Sequence, residues 1–179
     1  MNQTIETIMK RKGTRSYTSQ QVNENDVDTI IKAGIAAPNA RNLQNRHFTV
    51  VQNRELLQQI NDGVFAQMSA MSVPASDYSP LYGAPTLIIA SAPEDSNFAQ
   101  LDCSIAVGNM TLAATSLGLG SRYIVSPLMF IESETGKAVK RSIGIPEGYR
   151  GIACLIVGYD ANTDQEPTSR NMDVVNYVK

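Results

Sequence analysis

The sequence predicts an α/β or α+β sandwich, in which helices pack on a central sheet. Four short apolar or β-branched runs alternate with amphipathic helical segments along the 179 residues. Hydrophobic residues make up 42% of the chain and charged residues 18%, as in an ordinary globular protein. A domain usually has about 100–200 residues, so we expect one domain over residues 1–179. The order of the elements does not by itself fix the order of the strands.

The first half of the chain contains three predicted helices and one strand. Helical spacing of apolar residues predicts a short helix over residues 4–10 and a second one that Asn23 or Asn25 caps and Pro38 ends. The β-branched run His47–Val51 predicts the first strand. A third helix follows over residues 54–68. Residues 69–83, rich in Ser, Pro and Ala, predict a surface loop or an irregular lid.

The second half is dominated by a helix predicted over residues 97–117. Its apolar or small residues cover nearly all faces, which is typical of a central core helix or of one shared with a partner chain. Leu119 and Gly120 are expected to end it. One strand is predicted before this helix, at residues 86–90, and two after it, at residues 121–125 and 151–158. A further helix is predicted between those two strands, at residues 132–143. The tail after Asp160 is long and polar until Val174, so we expect it to dock on a partner subunit.

Composition excludes several classes of function. The net charge of −2 gives no electrostatic case for binding nucleic acid or an anionic membrane. The longest apolar stretches are far shorter than the ~20 residues of a membrane span, and the N-terminus lacks the pattern of a signal peptide, so we expect a cytoplasmic protein. Cys103 and Cys154 lie in apolar runs without C-x-x-C spacing and are expected to be buried thiols. With His47 as its one histidine, the chain offers no basis for a metal site.

A basic turn follows the first predicted helix, with the sequence Arg11-Lys12-Gly13-Thr14-Arg15. Guanidinium groups bind phosphate oxygens in pairs, lysine adds a mobile charge, and glycine lets the backbone turn. The alternative is a solvated basic turn, because cations also suit the C-terminus of a helix.

Two more segments carry polar chemistry. Residues 36–44 form a loop whose Asn39, Asn42 and Gln44 amides can donate and accept hydrogen bonds, as the edge of a flavin would require. A polar loop that caps neighbouring backbone is the alternative. Residues 117–126 (LGLGSRYIVS) join a helix to a strand. Their glycines follow a helix rather than precede one, so this segment alone predicts a helix C-cap and a core strand rather than a phosphate loop.

These motifs occur in one order that resembles the FMN-dependent nitroreductase family. The order is the basic turn, A-A-P-N-x-x-N-L-Q, then D-x-x-x-A-x-x-N-M-x-L-A-A-x-x-L-G-L-G-S at residues 102–121, then P-E-G-Y and a late arginine. The resemblance extends from Ile8 to about Val175. It implies a homodimeric α+β sandwich with a central mixed sheet flanked by helices. It also implies two FMN sites at the interface and a C-terminal tail that extends onto the partner subunit.

The resemblance also assigns roles to individual residues. It places five residues around the FMN phosphate: Arg11, Lys12, Gly13, Arg15 and Arg170. It matches Asn39, Asn42 and Gln44 to the loop that contacts the flavin, commonly from across the subunit interface. Beside the ring lie Tyr123, Val125 and Ser126, with a backbone N–H of Val125 or Ser126 facing N5, while Gln67 is matched to the pyrimidine edge.

The chain departs from the family pattern at two places. Gly13 stands where a serine is usual, which removes a hydroxyl donor that Thr14 could replace. Asn45 and Arg46 stand where the family often has Pro-Trp, so we expect a changed structural corner with added charge. His47 is expected to be an ordinary packing or surface residue rather than a proton donor.

The resemblance implies an oxidoreductase with ping-pong kinetics. NADH or NADPH passes a hydride to bound FMN and leaves, and an electron-poor acceptor such as a nitroaromatic or quinone is then reduced at the same site. No acid or base side chain is required, so no catalytic residue is predicted. The alternatives are a flavin enzyme of the same family with different chemistry (flavin fragmentation or dehalogenation), a flavin-binding protein without turnover, and a binder of a non-flavin phosphate ligand.

Overall fold

The four described strands form one antiparallel sheet. In a computed structural model that describes residues 1–71 and 79–179, the strand order is β1-β2-β4-β3. Every neighbouring pair is antiparallel, so the prediction of a mixed sheet is wrong for the described strands. The predicted α+β sandwich is confirmed. The strands are His47–Val51 (β1), Thr86–Pro93 (β2), Gly120–Ile124 (β3) and Tyr149–Gly158 (β4).

The helices begin and end mostly where their caps predict. Asn23 caps the second helix, and its Oδ1 accepts from the Asp26 N–H at 2.9 Å. The described residues form the α-helices Gln3–Lys10 (α1), Glu24–Ile35 (α2), Arg54–Ala70 (α3), Ala99–Ser116 (α4), Ser126–Ile131 (α5) and Lys137–Ser142 (α6). The predicted lid at 69–83 begins at the end of α3, and its residues 72–78 lie outside the described part of the chain.

The single helix predicted over residues 132–143 is wrong. Pro127 in the first turn starts α5 early, because proline has no N–H to lose there. Ser133 then interrupts the helical run, since its hydroxyl donates to Phe130 O at 2.7 Å and accepts from the Gly136 N–H at 3.2 Å. A 3₁₀ turn at Glu134–Gly136 and the short α6 follow.

Gly118, rather than Leu119 and Gly120, ends α4. Gly118 has a φ of 74°, the left-handed conformation that glycine adopts without a steric cost. The Leu119 N–H donates to Ala114 O at 2.9 Å and the Gly118 N–H to Thr115 O at 3.1 Å, which is a Schellman cap. Gly120 already belongs to β3, and a Cβ there would lie 2.7 Å from Thr14 Oγ1. Its missing side chain therefore lets the N-terminal segment approach β3 closely.

Both faces of the sheet are covered, which explains why residues 87–90 of β2 and 153–157 of β4 are apolar at every position. On one face Leu87, Ile89 and Ile156 pack against α3, α5 and α6. On the other, Ile88 and Leu155 pack against α2 and α4. Alternate residues of a strand point to opposite faces, so both parities must be apolar here.

Both cysteines are buried free thiols, as predicted. Cys103 belongs to α4 and Cys154 to β4. Burial raises the pKa of the Cys103 thiol to about 11. The thiolate is the reactive form of cysteine, so this residue is unreactive at neutral pH and acts as a small apolar core side chain.

None of the helices in the described part of the chain is long and apolar enough to span a lipid bilayer.

Gly63 on α3 offers a test of the packing between α3 and α5. A Cβ at this position would lie 2.4–2.6 Å from three ring carbons of Phe130, a core residue of α5. Overpacking of this kind costs about 1–3 kcal/mol. We expect Gly63→Ala to lower the free energy of unfolding in urea, although alanine is the better helix former.

The control for this substitution is Ala66→Gly, at an exposed position of the same helix. This substitution changes helix propensity alone, and we expect it to lower the free energy of unfolding by about 0.5–1 kcal/mol. A Gly63→Ala protein that is stabilised by the same amount would show that the ring of Phe130 moves away freely.

Candidate functional site

The basic turn, strand β3 and the C-terminal tail together form a cavity of about 310 Å³, which we call the basic pocket. Its lining contains four arginines and one carboxylate, that of Glu166. Guanidinium groups bind phosphate in paired hydrogen bonds, so this balance suits a phosphate dianion. The lining residues are Arg11, Lys12, Gly13, Arg15, Arg122, Tyr123, Gln165, Glu166, Thr168 and Arg170. Six of the predicted site residues, from three distant parts of the chain, thus meet in one cavity.

Backbone hydrogen bonds hold the basic turn in place. The Thr14 N–H donates to Ser121 O on β3 at 3.0 Å. The next residues pair with the start of the tail, through Thr18 N–H to Tyr159 O at 2.9 Å and Ala161 N–H to Ser16 O at 3.0 Å. The Thr14 side chain is buried and its hydroxyl faces Asp160 at 3.4 Å. Thr14 therefore does not replace, inside the pocket, the serine hydroxyl that Gly13 lacks.

Lys12 contacts the tail rather than the open part of the pocket. Its Nζ lies 3.1 Å from Asp160 Oδ2, and it also donates to Gln165 O at 2.7 Å and Asn162 O at 3.3 Å. These contacts engage the donors of one ammonium group. Lys12 thus fixes the segment that leads to Arg170, and the arginines carry the positive charge available to a ligand.

Arg122 is the arginine of the pocket that the sequence analysis missed, and Gln165, Glu166 and Thr168 of the tail were not predicted either. Arg122 comes from β3, and its guanidinium lies 4.9 Å above the ring of Tyr82. Its Nη1 donates to Gly13 O at 3.5 Å. Arg122 is the charged residue of β3, directly beside the predicted Tyr123. Its position next to Tyr123 is the feature of the sequence from which Arg122 could have been predicted.

The Asn39–Gln44 loop lies outside the basic pocket of its own chain. Arg41, Asn42 and Gln44 have φ values of 55°, 53° and 50°, in the left-handed region that side chains other than glycine adopt at a cost. Asn39 Oδ1 accepts from the Gln44 N–H at 2.8 Å, and Gln44 Nε2 donates to Asn42 Oδ1 at 3.0 Å. The loop is thus held in one strained shape with much of its polar surface exposed.

Arg46 fixes this loop to α2 and α4. Where the family often has Pro-Trp, its guanidinium donates to four main-chain carbonyls: Ala37 O at 2.8 Å, Asp102 O at 3.0 Å, Pro38 O at 3.2 Å and Ile35 O at 3.4 Å. Asp102 Oδ1 also accepts from the Ala40 N–H at 2.9 Å. The charge of Arg46 therefore lies at the C-terminal end of α2 and caps its last carbonyls.

A shallow groove separates the loop from the basic pocket. It runs along the exposed face of α4 and is lined by Asn39, Leu101, Ser104 and Ile105, among others. Ser104 Oγ lies 3.4 Å from the hydroxyl of Tyr123, which lines the basic pocket. Among the residues described, no residue lines both cavities.

The other predicted site residues lie outside the basic pocket. Val125 caps α5 and is 54% exposed. The Ser126 hydroxyl oxygen is buried and has no hydrogen-bond partner among the described residues. Gln67 Nε2 lies 3.5 Å from Thr135 Oγ1. His47 packs edge-on against Tyr149, with 6.5 Å between the ring centroids, in keeping with a packing role.

Comparison with known proteins decides the family. The model of the nitroreductase family matches residues 8–159. The chain belongs to the nitroreductase family. The resemblance found in the motifs is thereby confirmed.

Solved nitroreductases share the whole fold. A nitroreductase with bound FMN from Bacteroides fragilis is 29% identical, with a TM-score of 0.91 and full coverage of both chains. A second one with bound FMN, from Desulfitobacterium hafniense, is 28% identical, with a TM-score of 0.92 and the same coverage. The NADPH-flavin oxidoreductase of Vibrio harveyi is 28% identical over 173 residues, which are 93% of this chain and 70% of that protein.

Within this nitroreductase-family chain, Arg46 offers a test of how the loop is held. We expect Arg46→Met to lower the free energy of unfolding by roughly 1–3 kcal/mol, since it removes charge-assisted hydrogen bonds to four carbonyls. We also expect faster amide hydrogen exchange at Ala40 and Gln44. Urea unfolding and exchange followed by mass spectrometry measure the two effects.

The matched control is Arg41→Met in the same loop. Arg41 is exposed, and its guanidinium stacks on the ring of Phe98, with 5.8 Å to the ring centroid. Equal effects of the two substitutions would contradict the special role of Arg46.

Proposed function

We propose that this chain is an FMN-dependent oxidoreductase that uses NADH or NADPH to reduce electron-poor acceptors such as nitroaromatics or quinones. The observation that carries the proposal is the basic pocket, in which four arginines converge beside the end of β3. FMN bound in two solved relatives and the NADPH-flavin oxidoreductase name of a third support it.

The residues present fit FMN. Arg11, Arg15 and Arg170 would hold the phosphate, because they line one cavity with little opposing charge. Tyr123, Val125 and Ser126 would border the ring, and the orphaned hydroxyl of Ser126 is a buried polar group that a ligand edge can satisfy. Lys12 would act indirectly, by holding the tail residues that carry Arg170.

Bound FMN would supply the redox chemistry, which is hydride transfer between a nicotinamide and the acceptor. The protein's part is to bind and orient. Its arginines would offset the charge of the phosphate. Protons can come from solvent, so no side chain is assigned as acid or base.

We further propose a homodimer with a site shared between two copies. On α4, Leu101 is 70% and Ile105 44% exposed, and in the tail Val178 is 98% exposed. Large exposed apolar surfaces of this kind are typical of interfaces. The Asn39–Gln44 loop borders the same α4 face. A second copy docked there would bring its Asn39, Asn42 and Gln44 toward the basic pocket that they cannot reach in their own chain.

The first test is the absorbance spectrum of the protein mixed with FMN and freed of excess ligand. We expect a protein-bound flavin band that anaerobic NADH or NADPH bleaches. We expect Arg15→Ala to weaken FMN binding about tenfold or more, because it removes charge-assisted hydrogen bonds to the phosphate. Arg141→Ala, at an exposed position of α6, is the control and should bind FMN as the wild type does.

Other outcomes would favour one of the alternative functions. A band that neither nucleotide bleaches would favour a flavin-binding protein without turnover, or different flavin chemistry. A protein that takes up no FMN would contradict the proposal and favour another phosphate ligand.

The dimer has its own test, the substitution Ile105→Glu on the exposed face of α4. A single chain tolerates a carboxylate there, whereas a dimer interface would bury it unpaired. We expect the variant to be monomeric in size-exclusion chromatography with light scattering and to lose FMN affinity. Gln59→Glu, at an exposed position of α3, adds the same charge elsewhere and should remain dimeric. A wild-type protein that is monomeric, or an Ile105→Glu variant that stays dimeric, would contradict this interface.

A further inference from the structure

Arg122 has donors that the described residues do not use. A guanidinium offers several N–H groups in a rigid plane. The hydrogen bond recorded for Arg122 is the 3.5 Å contact to Gly13 O, which is long. Its charge has no carboxylate within ion-pair distance among residues 1–71 and 79–179. A half-buried cation without a counter-charge is costly, so this arrangement points to an anionic partner.

Arg122 lines the basic pocket, and the chain leaves room for its guanidinium at Gly13. A Cβ on Gly13 would lie 3.2 Å from Arg122 Nη1 and 3.9 Å from its Cγ. The φ of Gly13 is outside the left-handed region, so its backbone shape does not require glycine. Space for the guanidinium is the requirement that glycine meets here.

Arg122 also differs from the other arginines of the pocket in the kind of structure that holds it in place. Arg11 and Arg15 extend from a turn, and Arg170 from a tail without regular structure. Arg122 belongs to a paired strand, where it lies opposite Ile156 of β4, and Tyr82 covers its planar face. A charge held on the sheet needs little ordering when a ligand binds.

We propose that Arg122 binds the phosphate of FMN and that the absence of a side chain at Gly13 keeps its guanidinium aimed at that phosphate. The inference rests on the proposed function and adds to it a fourth arginine, together with the residue that positions it. Riboflavin, which has the same ring and no phosphate, separates this role from a contact with the ring.

The experiment is a fluorescence titration of the full-length apoprotein with FMN and with riboflavin. We expect Arg122→Gln, which keeps most of the stem, to raise the Kd for FMN at least about tenfold, as removal of a charge-assisted contact does. The Kd for riboflavin should change less than about twofold. Arg122→Lys keeps the charge without the fork and should fall between the wild type and Arg122→Gln. Arg150→Ala, at an exposed position of β4, is the control for loss of an arginine from the sheet.

Gly13→Ala tests the positioning part separately. The added methyl displaces the guanidinium, so FMN binding should weaken in the wild-type background. In the Arg122→Gln background it should weaken clearly less, because no guanidinium remains to be displaced. This non-additivity in a double-mutant cycle is the signature of coupling between the two residues.

Results other than the expected ones contradict either the role of Arg122 or the proposed function. Equal losses for FMN and riboflavin, an unchanged FMN Kd, or fully additive effects of Gly13→Ala would each overturn the proposal for Arg122. Circular dichroism of each variant identifies misfolding, and if Arg122→Gln misfolds, Arg122→Lys together with Gly13→Ala in the wild-type background decides. A wild-type protein that binds neither flavin would instead overturn the proposed function itself.

Discussion

The ion pair between Lys12 and Asp160 is the contact on which the basic pocket depends. The two side chains are only 21% and 12% exposed, so the pair is better shielded from water and salt than an ordinary surface pair. Tail carbonyls complete the coordination of the ammonium. The pair joins the turn after α1 to the start of the tail. The position of Arg170 in the lining of the pocket therefore depends on Lys12, which is far away in the sequence.

The basic pocket shows what the sequence could and could not predict. Arg11 and Arg15 could be predicted, because an arginine cluster around a glycine carries a chemical meaning without any coordinates, whereas Arg170 followed from the family resemblance alone. The role of Lys12 could not, since it depends on which oxygens the fold brings within reach. Arg122 was missed for the same reason. The role of a charge in a short strand depends on its neighbours, here the Gly13 backbone, and that neighbour is a consequence of tertiary structure.

The fold follows the same division between local and non-local information. The strands β2 and β4 were predictable because residues 87–90 and 153–157 are buried on both faces and therefore apolar at every position. The antiparallel strand order was not predictable, because it depends on pairing between distant segments. The helix prediction failed at residues 132–143, where Ser133 caps a turn that the apolar spacing alone does not reveal. Conversely, α4 looked apolar on nearly all sides, and the structure divides it into a buried face of small residues and an exposed face with Leu101 and Ile105.

In the proposed dimer, that division of α4 would link assembly to ligand binding. The basic pocket and the strained Asn39–Gln44 loop lie on either side of the exposed α4 face, and Arg46 holds the loop rigidly there. A second copy covering this face would bury apolar surface and complete the ligand site in one step. Any ligand that contacts both copies then stabilises the dimer, and by linkage the dimer tightens binding of the ligand by the same factor. The strain at Arg41, Asn42 and Gln44 is consistent with this arrangement, since a loop already held in its binding shape loses little further entropy when it meets a partner.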